Sequence, residues 1–160
     1  MRRYYTVIFE NVAVGTAAQD LFELTPADDK PIAVMGLSLD NVGGTADAGD
    51  AQEELIRLSI RRGFTTSGSG GSAPTPAPLG PNTAAAGFTA EVNNTTVANT
   101  GTTTIPWVGG WNVRVPLREF WPEEMWIGAS QANTTIVVRS DSTLADAITM
   151  SGTLYVAELI

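Results

Sequence analysis

The side chains that most often do chemistry are missing here, because the 160 residues contain no histidine and no cysteine. Losing imidazole removes the usual general base near neutral pH and the commonest metal ligand. Losing thiols removes disulfides, thiolate metal sites and sulfur nucleophiles together. What remains is hydroxyls, one lysine (Lys30) and 17 carboxylates. No serine has a histidine partner, and no G-x-S-x-G elbow occurs. Lys30 stands beside Pro31 without an S-x-x-K context, and Gly68-Ser69-Gly70-Gly71-Ser72 lacks the lysine and helix of a phosphate cradle.

The carboxylates allow two arrangements. Glu119, Glu123 and Glu124 stand among Phe120, Trp121 and Trp126, residue types that serve glycoside hydrolysis or sugar stacking. Adjacent Glu123 and Glu124 would point to opposite faces of a strand, which makes them poor catalytic partners. The plainer reading is an aromatic corner with glutamates facing water. Asp40, Asp47 and Asp50, with Glu53 and Glu54 after them, lie on a glycine-rich stretch that would suit calcium. EF-hand spacing is absent, and solvated acidic loops look the same. The expectation is therefore no enzyme, no catalytic residue, no cofactor and no metal, with Asp40, Asp47 and Asp50 as the only calcium candidates.

The elements that must position any site read as strands. Short runs rich in Val, Ile, Thr and aromatics are punctuated by Gly, Pro, Asn and Asp. Strands are predicted over Tyr4–Val14, Gln19–Thr25, Pro31–Asp40, Glu54–Phe64, Phe88–Ala98, Thr102–Ile105, Trp111–Leu117, Met125–Ala129, Thr134–Arg139 and Ala147–Leu159. In the first, Tyr5, Val7 and Phe9 share one face, and Thr6, Ile8 and Glu10 the other. Glu54–Phe64 alternates most cleanly, with Ile56, Leu58 and Ile60 opposed to Leu55, Arg57, Ser59 and Arg61. Residues 65–81 read as one long loop, flexible in its Gly/Ser half and extended in its Pro half. The prediction is one all-β domain over residues 1–160, a two-sheet antiparallel jelly-roll sandwich or barrel of about eight or nine strands with little helix.

Hydrophobic residues make up 43% of the chain and the net charge is −8. That acidity repels phosphate backbones and disfavours nucleic acid. No apolar run approaches the roughly 20 residues of a membrane span, and no export signal opens the chain, so synthesis in the host cytoplasm is expected. On the same ground Asn94-Thr95-Thr96 and Asn133-Thr134-Thr135 are read as ordinary strand threonines, not glycosylation sites.

Four segments carry a family resemblance: Tyr4–Val12, Ala17–Leu24, the Leu55–Leu58 strand leading into the Gly/Ser/Pro loop, and Ile148–Val156. Their order resembles small jelly-roll structural proteins of tailed-bacteriophage virions, encoded near head genes. The resemblance implies a capsid decoration or cement protein on the virion exterior. It also implies homo-oligomers, trimers first, with a major capsid protein as partner and neither nucleic acid nor membrane. The expected interface residues are Arg2, Arg3, Tyr4, Tyr5, Arg57, Arg61, Pro74, Pro76, Pro78, Trp107 and Trp121. The alternative is a carbohydrate-binding module of a tail or adhesin, stacking sugars on Trp107, Trp111, Trp121 or Trp126.

Overall fold

In a computed structural model, residues 2–41, 54–131, 134–141, 144–145 and 147–160 are described. Eleven strands are found there: β1 (Arg2–Val14), β2 (Gln19–Thr25), β3 (Ile32–Asp40), β4 (Leu55–Phe64), β5 (Ala77–Pro78), β6 (Thr89–Asn94), β7 (Thr104–Asn112), β8 (Leu117–Phe120), β9 (Ile127–Ala129), β10 (Thr135–Ser140) and β11 (Ile148–Leu159). One 3-10 turn, Glu123–Met125, is the only helical element among the described residues. The strands form two antiparallel sheets that pack as a sandwich and do not close into a barrel.

Sheet A runs β5-β1-β11-β3-β8, with β9 in line with β8 against β3, and sheet B runs β6-β2-β10-β4-β7. Setting β5, β6 and β9 aside, four ribbon pairs remain: β1 with β11, β2 with β10, β3 with β8 and β4 with β7. Successive pairs alternate between the sheets, so the chain is an antiparallel ribbon rolled on itself. That is the jelly roll.

The alternating faces supply the core. Tyr5, Val7 and Phe9 from β1 meet Leu21, Phe22 and Leu24 from β2 and Ile56, Leu58 and Ile60 from β4, all buried. Phe9 of sheet A and Phe22 of sheet B lie 5.1 Å apart with tilted rings, which joins the two layers directly.

Two strand predictions change. The ends of the predicted Thr102–Ile105 and Trp111–Leu117 join in a single strand, β7 (Thr104–Asn112), whose pairing with β4 shifts register between Ile60 and Arg62. Beyond it Trp111 Nε1–H donates to the Val115 carbonyl at 2.6 Å and Leu117 opens β8. Trp111 and Val113 are buried, while Val115 is 58% exposed beyond the turn. Strand β6 covers only Thr89–Asn94 of the predicted Phe88–Ala98.

Residues 65–81 do not behave as a flexible loop. They open a 39-residue insert between β4 and β7 (65–103) whose outgoing and returning legs pair at Thr66–Asn99, Ser69–Thr96 and Ser72–Val92. At its root Gly63 (φ 97°) and Gly101 (φ 91°) adopt backbone conformations that side chains rarely tolerate. The tip reaches sheet A, where β5 pairs with Tyr5 and Thr6 and Leu79 N–H donates to Tyr4 O.

The insert lies over the outer face of sheet B, so β2 and β10 are buried on both sides. Charged residues seal that contact. Arg139 donates to both oxygens of Asp20 at 2.6 and 3.1 Å and to the Ala98 carbonyl at 2.9 Å, while Ala98 N–H donates to Asp20 at 2.7 Å. Glu23 accepts from Ser67 Oγ, Gly68 N–H and Asn94 Nδ2. Buried charges persist only when paired and hydrogen-bonded in this way.

Tyr5, expected at an interface, is wholly buried. Its ring meets Phe88 edge-on at 5.6 Å and its hydroxyl donates to the Ala84 carbonyl at 2.8 Å, so it anchors the insert tip. Burial, reinforced by the nearby Glu158 carboxylate and opposed by Arg3, raises its pKa above the ordinary 10.0. The neutral phenol's contribution is therefore complete below pH 10.0 and is lost as pH rises through the elevated folded value. Tyr5→Phe should cost about 1 kcal/mol at neutral pH. It should also flatten the alkaline decline of the urea midpoint; a decline unchanged by the substitution would contradict the assignment.

Candidate interaction surface

Sheet A's outer face is open where sheet B's is covered, and strand register sets its pattern. Thr6 lies opposite Tyr155, Tyr155 opposite Gly36, and Gly36 opposite Phe120, one row crossing four strands. Gly36 leaves room for the rings of Phe120 and Tyr155 to meet above it, 5.0 Å apart. A Cβ there would stand 2.5 Å from Phe120 Cδ1 and 2.7 Å from the Glu119 carbonyl. The ring can swing aside, but the carbonyl belongs to β8 itself. Gly36→Ala should therefore cost about 1–3 kcal/mol by overpacking. Urea denaturation with near-ultraviolet circular dichroism checks this; an unaltered aromatic signal would mean the rings do not meet over Gly36.

Large apolar side chains stand exposed on or beside this face: Tyr4 at 39%, Ile8 at 44%, Phe120 at 56% and Met125 at 60%. From Trp121 the chain turns through Glu123–Met125 into β9, and this turn touches the start of β1. There Arg2 bonds the Glu123 carboxylate and lies 5.5 Å over the Trp126 ring. That hydrogen bond holds the Glu123 pKa below its ordinary 4.5, so Glu123 is an anchor in its ionised form. A general acid needs the opposite shift. Glu119 is half-buried on β8 and Glu124 is exposed in the turn.

The other expected residues separate. Arg3 is half-buried and 3.7 Å from the buried carboxylate of Glu158, which accepts from Gly87 N–H. Arg57 is exposed on β4 opposite Gly110. Arg61 is half-buried and bonds Asp141 and Ser59, so it braces its own chain. Pro78 is exposed in β5, Pro74 is half-buried, and Pro76 is buried in the insert and is not free to reach a partner. Asp40 forms an ion pair with Arg118 at 3.0 Å, while Asp47 and Asp50 lie outside the described residues. Among the described residues no three acidic side chains gather as a metal-ligand set.

Trp107 and Trp121 meet edge-on at 5.6 Å and plug the β7/β8 side of the sandwich. Trp111 is core, and Trp126 spends its Nε1–H on the Trp121 carbonyl beneath Arg2. Trp107, Trp121 and Trp126 are half-buried and Trp111 is buried. The surface thus unites Arg2 and Tyr4 with the turn that follows Trp121. It adds Ile8, Phe120, Met125 and Tyr155, which were not named as interface residues. The signal for Ile8 was present, since alternation in β1 turns it away from Phe9.

A concavity of about 560 Å³ is lined by Pro31, Ile32, Arg62, Thr104, Ser130 and Leu159 among others. Arg62 donates to the Gly128 carbonyl at 2.7 Å and to Thr104 Oγ1 at 3.4 Å. Its polar groups are hydroxyls and one guanidinium, without the acid–base pair that catalysis would require.

Fold and surface define a jelly-roll sandwich with one face sealed over its β2 and β10 strands by the insert and exposed apolar side chains on or beside the other. No protein-family model matches the chain, and no curated protein matches it. Among solved structures it is similar to the 2.6 Å structure of infectious bursal virus derived T=1 particles and to a point mutant of the VP2 protein of infectious bursal disease virus in derived T=1 particles. Each comparison gives 10% identity and a TM-score of 0.18, covering 99% of this chain and 40% of the other. The chain spans well under half of those proteins, and a likeness so slight carries no functional argument.

Proposed function

We propose that this chain is a non-enzymatic structural component of a virus particle, a head decoration or cement protein that binds copies of itself and a major capsid protein. The observation that supports this reading is the asymmetry of the two sheets. The outer face of sheet B is closed over β2 and β10 by the chain's own insert, whereas that of sheet A has no such cover and carries Tyr4, Ile8, Phe120 and Met125 into solvent on or beside it. A contiguous exposed apolar patch marks a contact surface. A single modest contact of this kind binds weakly, but repetition by shell symmetry multiplies it through avidity. The trimer remains the first arrangement to test, and the virion exterior the first location.

Deleting part of the 65–81 segment is a poor test, because Ser67 and Gly68 hold Glu23 and the deletion would expose a buried charge. Quantitative mass spectrometry of purified particles from the encoding genome is cleaner. The proposal expects the chain at a fixed ratio to the major capsid protein; its absence from particles that retain their shell would overturn it.

A further inference from the structure

The margins of the two sheets are not equally protected. Beyond β6, Ser72 exchanges backbone hydrogen bonds with Val92 at 3.1 and 2.8 Å. Sheet A ends on one side at the two-residue β5, with Pro76 and Pro78, and on the other at the short β8 and β9. Strand β7 differs: it is nine residues long, pairs with β4 alone among the described residues, and contains no charged side chain. Ile105 is 47% and Val108 49% exposed on it. Natural edge strands are usually blunted by charge, proline or a bulge. Here Pro106 and the register shift opposite Arg61 guard only the first half.

The second half offers free backbone groups. Val113 N–H donates to Glu54 O at 3.2 Å. Antiparallel alternation from that pair turns the backbone groups of Trp107, Gly109 and Trp111 toward β4 and those of Val108 and Gly110 away from it. Gly110 is open, with nothing within 4 Å of where its Cβ would be.

We propose that β7 is covered by β7 of a second copy, antiparallel across a two-fold axis, so that sheet B of one molecule continues into sheet B of the other. This rests on the self-association in the proposed function and gives it a two-fold surface, a dimer in place of the trimer that the resemblance implies. The strand is self-complementary: centred on Gly109, the pairing sets each Val108 beside the partner's Gly110, where the missing side chain leaves space. Charge favours the same occupant, because two chains of net charge −8 meet with least repulsion along a carboxylate-free strand. Strand β4 places Arg57 opposite Gly110 and Arg62 opposite Thr104, arginines rather than acids beside the seam.

Light-scattering mass of wild type, Val108→Lys and Gly110→Val, with amide exchange at residues 108 and 110, tests this. Either substitution should halve the mass, the first by placing charge in the seam and the second by filling the space the partner's valine needs. The Val108 and Gly110 amides, protected in the wild-type assembly, should exchange about tenfold faster or more in Val108→Lys. Two folded variants that keep the wild-type mass would overturn the β7 pairing and leave self-association standing. A wild type that is monomeric at every concentration would overturn both.

Discussion

Replacing Asp20 with alanine should lower the unfolding free energy by about 3–5 kcal/mol, among the largest effects a single substitution in this chain can have. The Asp20 side chain is fully buried and that of Arg139 only 10% exposed, and the two are joined by paired hydrogen bonds. Water cannot replace the lost carboxylate, so the guanidinium would be left buried without its counter-charge. Ala98 N–H would lose its acceptor in the same step. The Phe64 ring, 5.0 Å from the guanidinium, compensates only in part. The damage should also localise, with protease cleavage within 65–103 rising before the rest of the fold opens. Urea denaturation and limited proteolysis give both readings, and a loss below 1 kcal/mol would mean the ion pair does not hold the insert down.

Phe22→Ala tests the sandwich itself, with an expected loss of about 3–5 kcal/mol. Phe22 is wholly buried in β2, and its ring packs on Phe9 of the opposite sheet. The cavity therefore opens between layers, and strands hydrogen-bonded on both sides have little freedom to collapse into it. Reduced cooperativity of unfolding should accompany the loss. A small effect with unchanged cooperativity would indicate that β2 does not pack face to face on β1.

These two positions differ in how legible they were. Phe22 follows from local pattern, because a short apolar strand between turns must bury its large side chains. The same holds for Ile56, Leu58 and Ile60, whose alternation against Arg57 is reproduced in β4. Asp20, Glu23 and Arg139 read locally as solvated residues. Their burial depends on a segment more than 40 residues away in sequence folding across them, which no periodicity encodes. Composition misled at 65–81 for the same reason: glycine and serine suit a flexible linker, but they equally suit a close-fitting irregular ladder when a partner leg exists. Pro106 and the Gly109-Gly110 pair read as breaks in β7 because an edge strand tolerates residues that a central strand does not. Trp107 and Trp121 stand out by residue type, but their packing edge to edge against the core follows only from the fold.

The apolar face was half legible. Alternation marked Ile8, but Phe120 and Tyr155 become neighbours only because β11 and β3 lie between β1 and β8 and Gly36 leaves their rings room.

The role proposed for this chain is tested most directly by co-sedimentation with shells assembled from the major capsid protein of the same genome, comparing wild type with an Ile8→Asp, Phe120→Asp variant. Both side chains are substantially exposed, so the variant should fold normally. Wild type should pellet with the shells and saturate at a fixed ratio, while the variant stays in the supernatant. Equal and saturable pelleting of both proteins would contradict the sheet A face as the contact, and failure of wild type to bind at all would contradict the structural role.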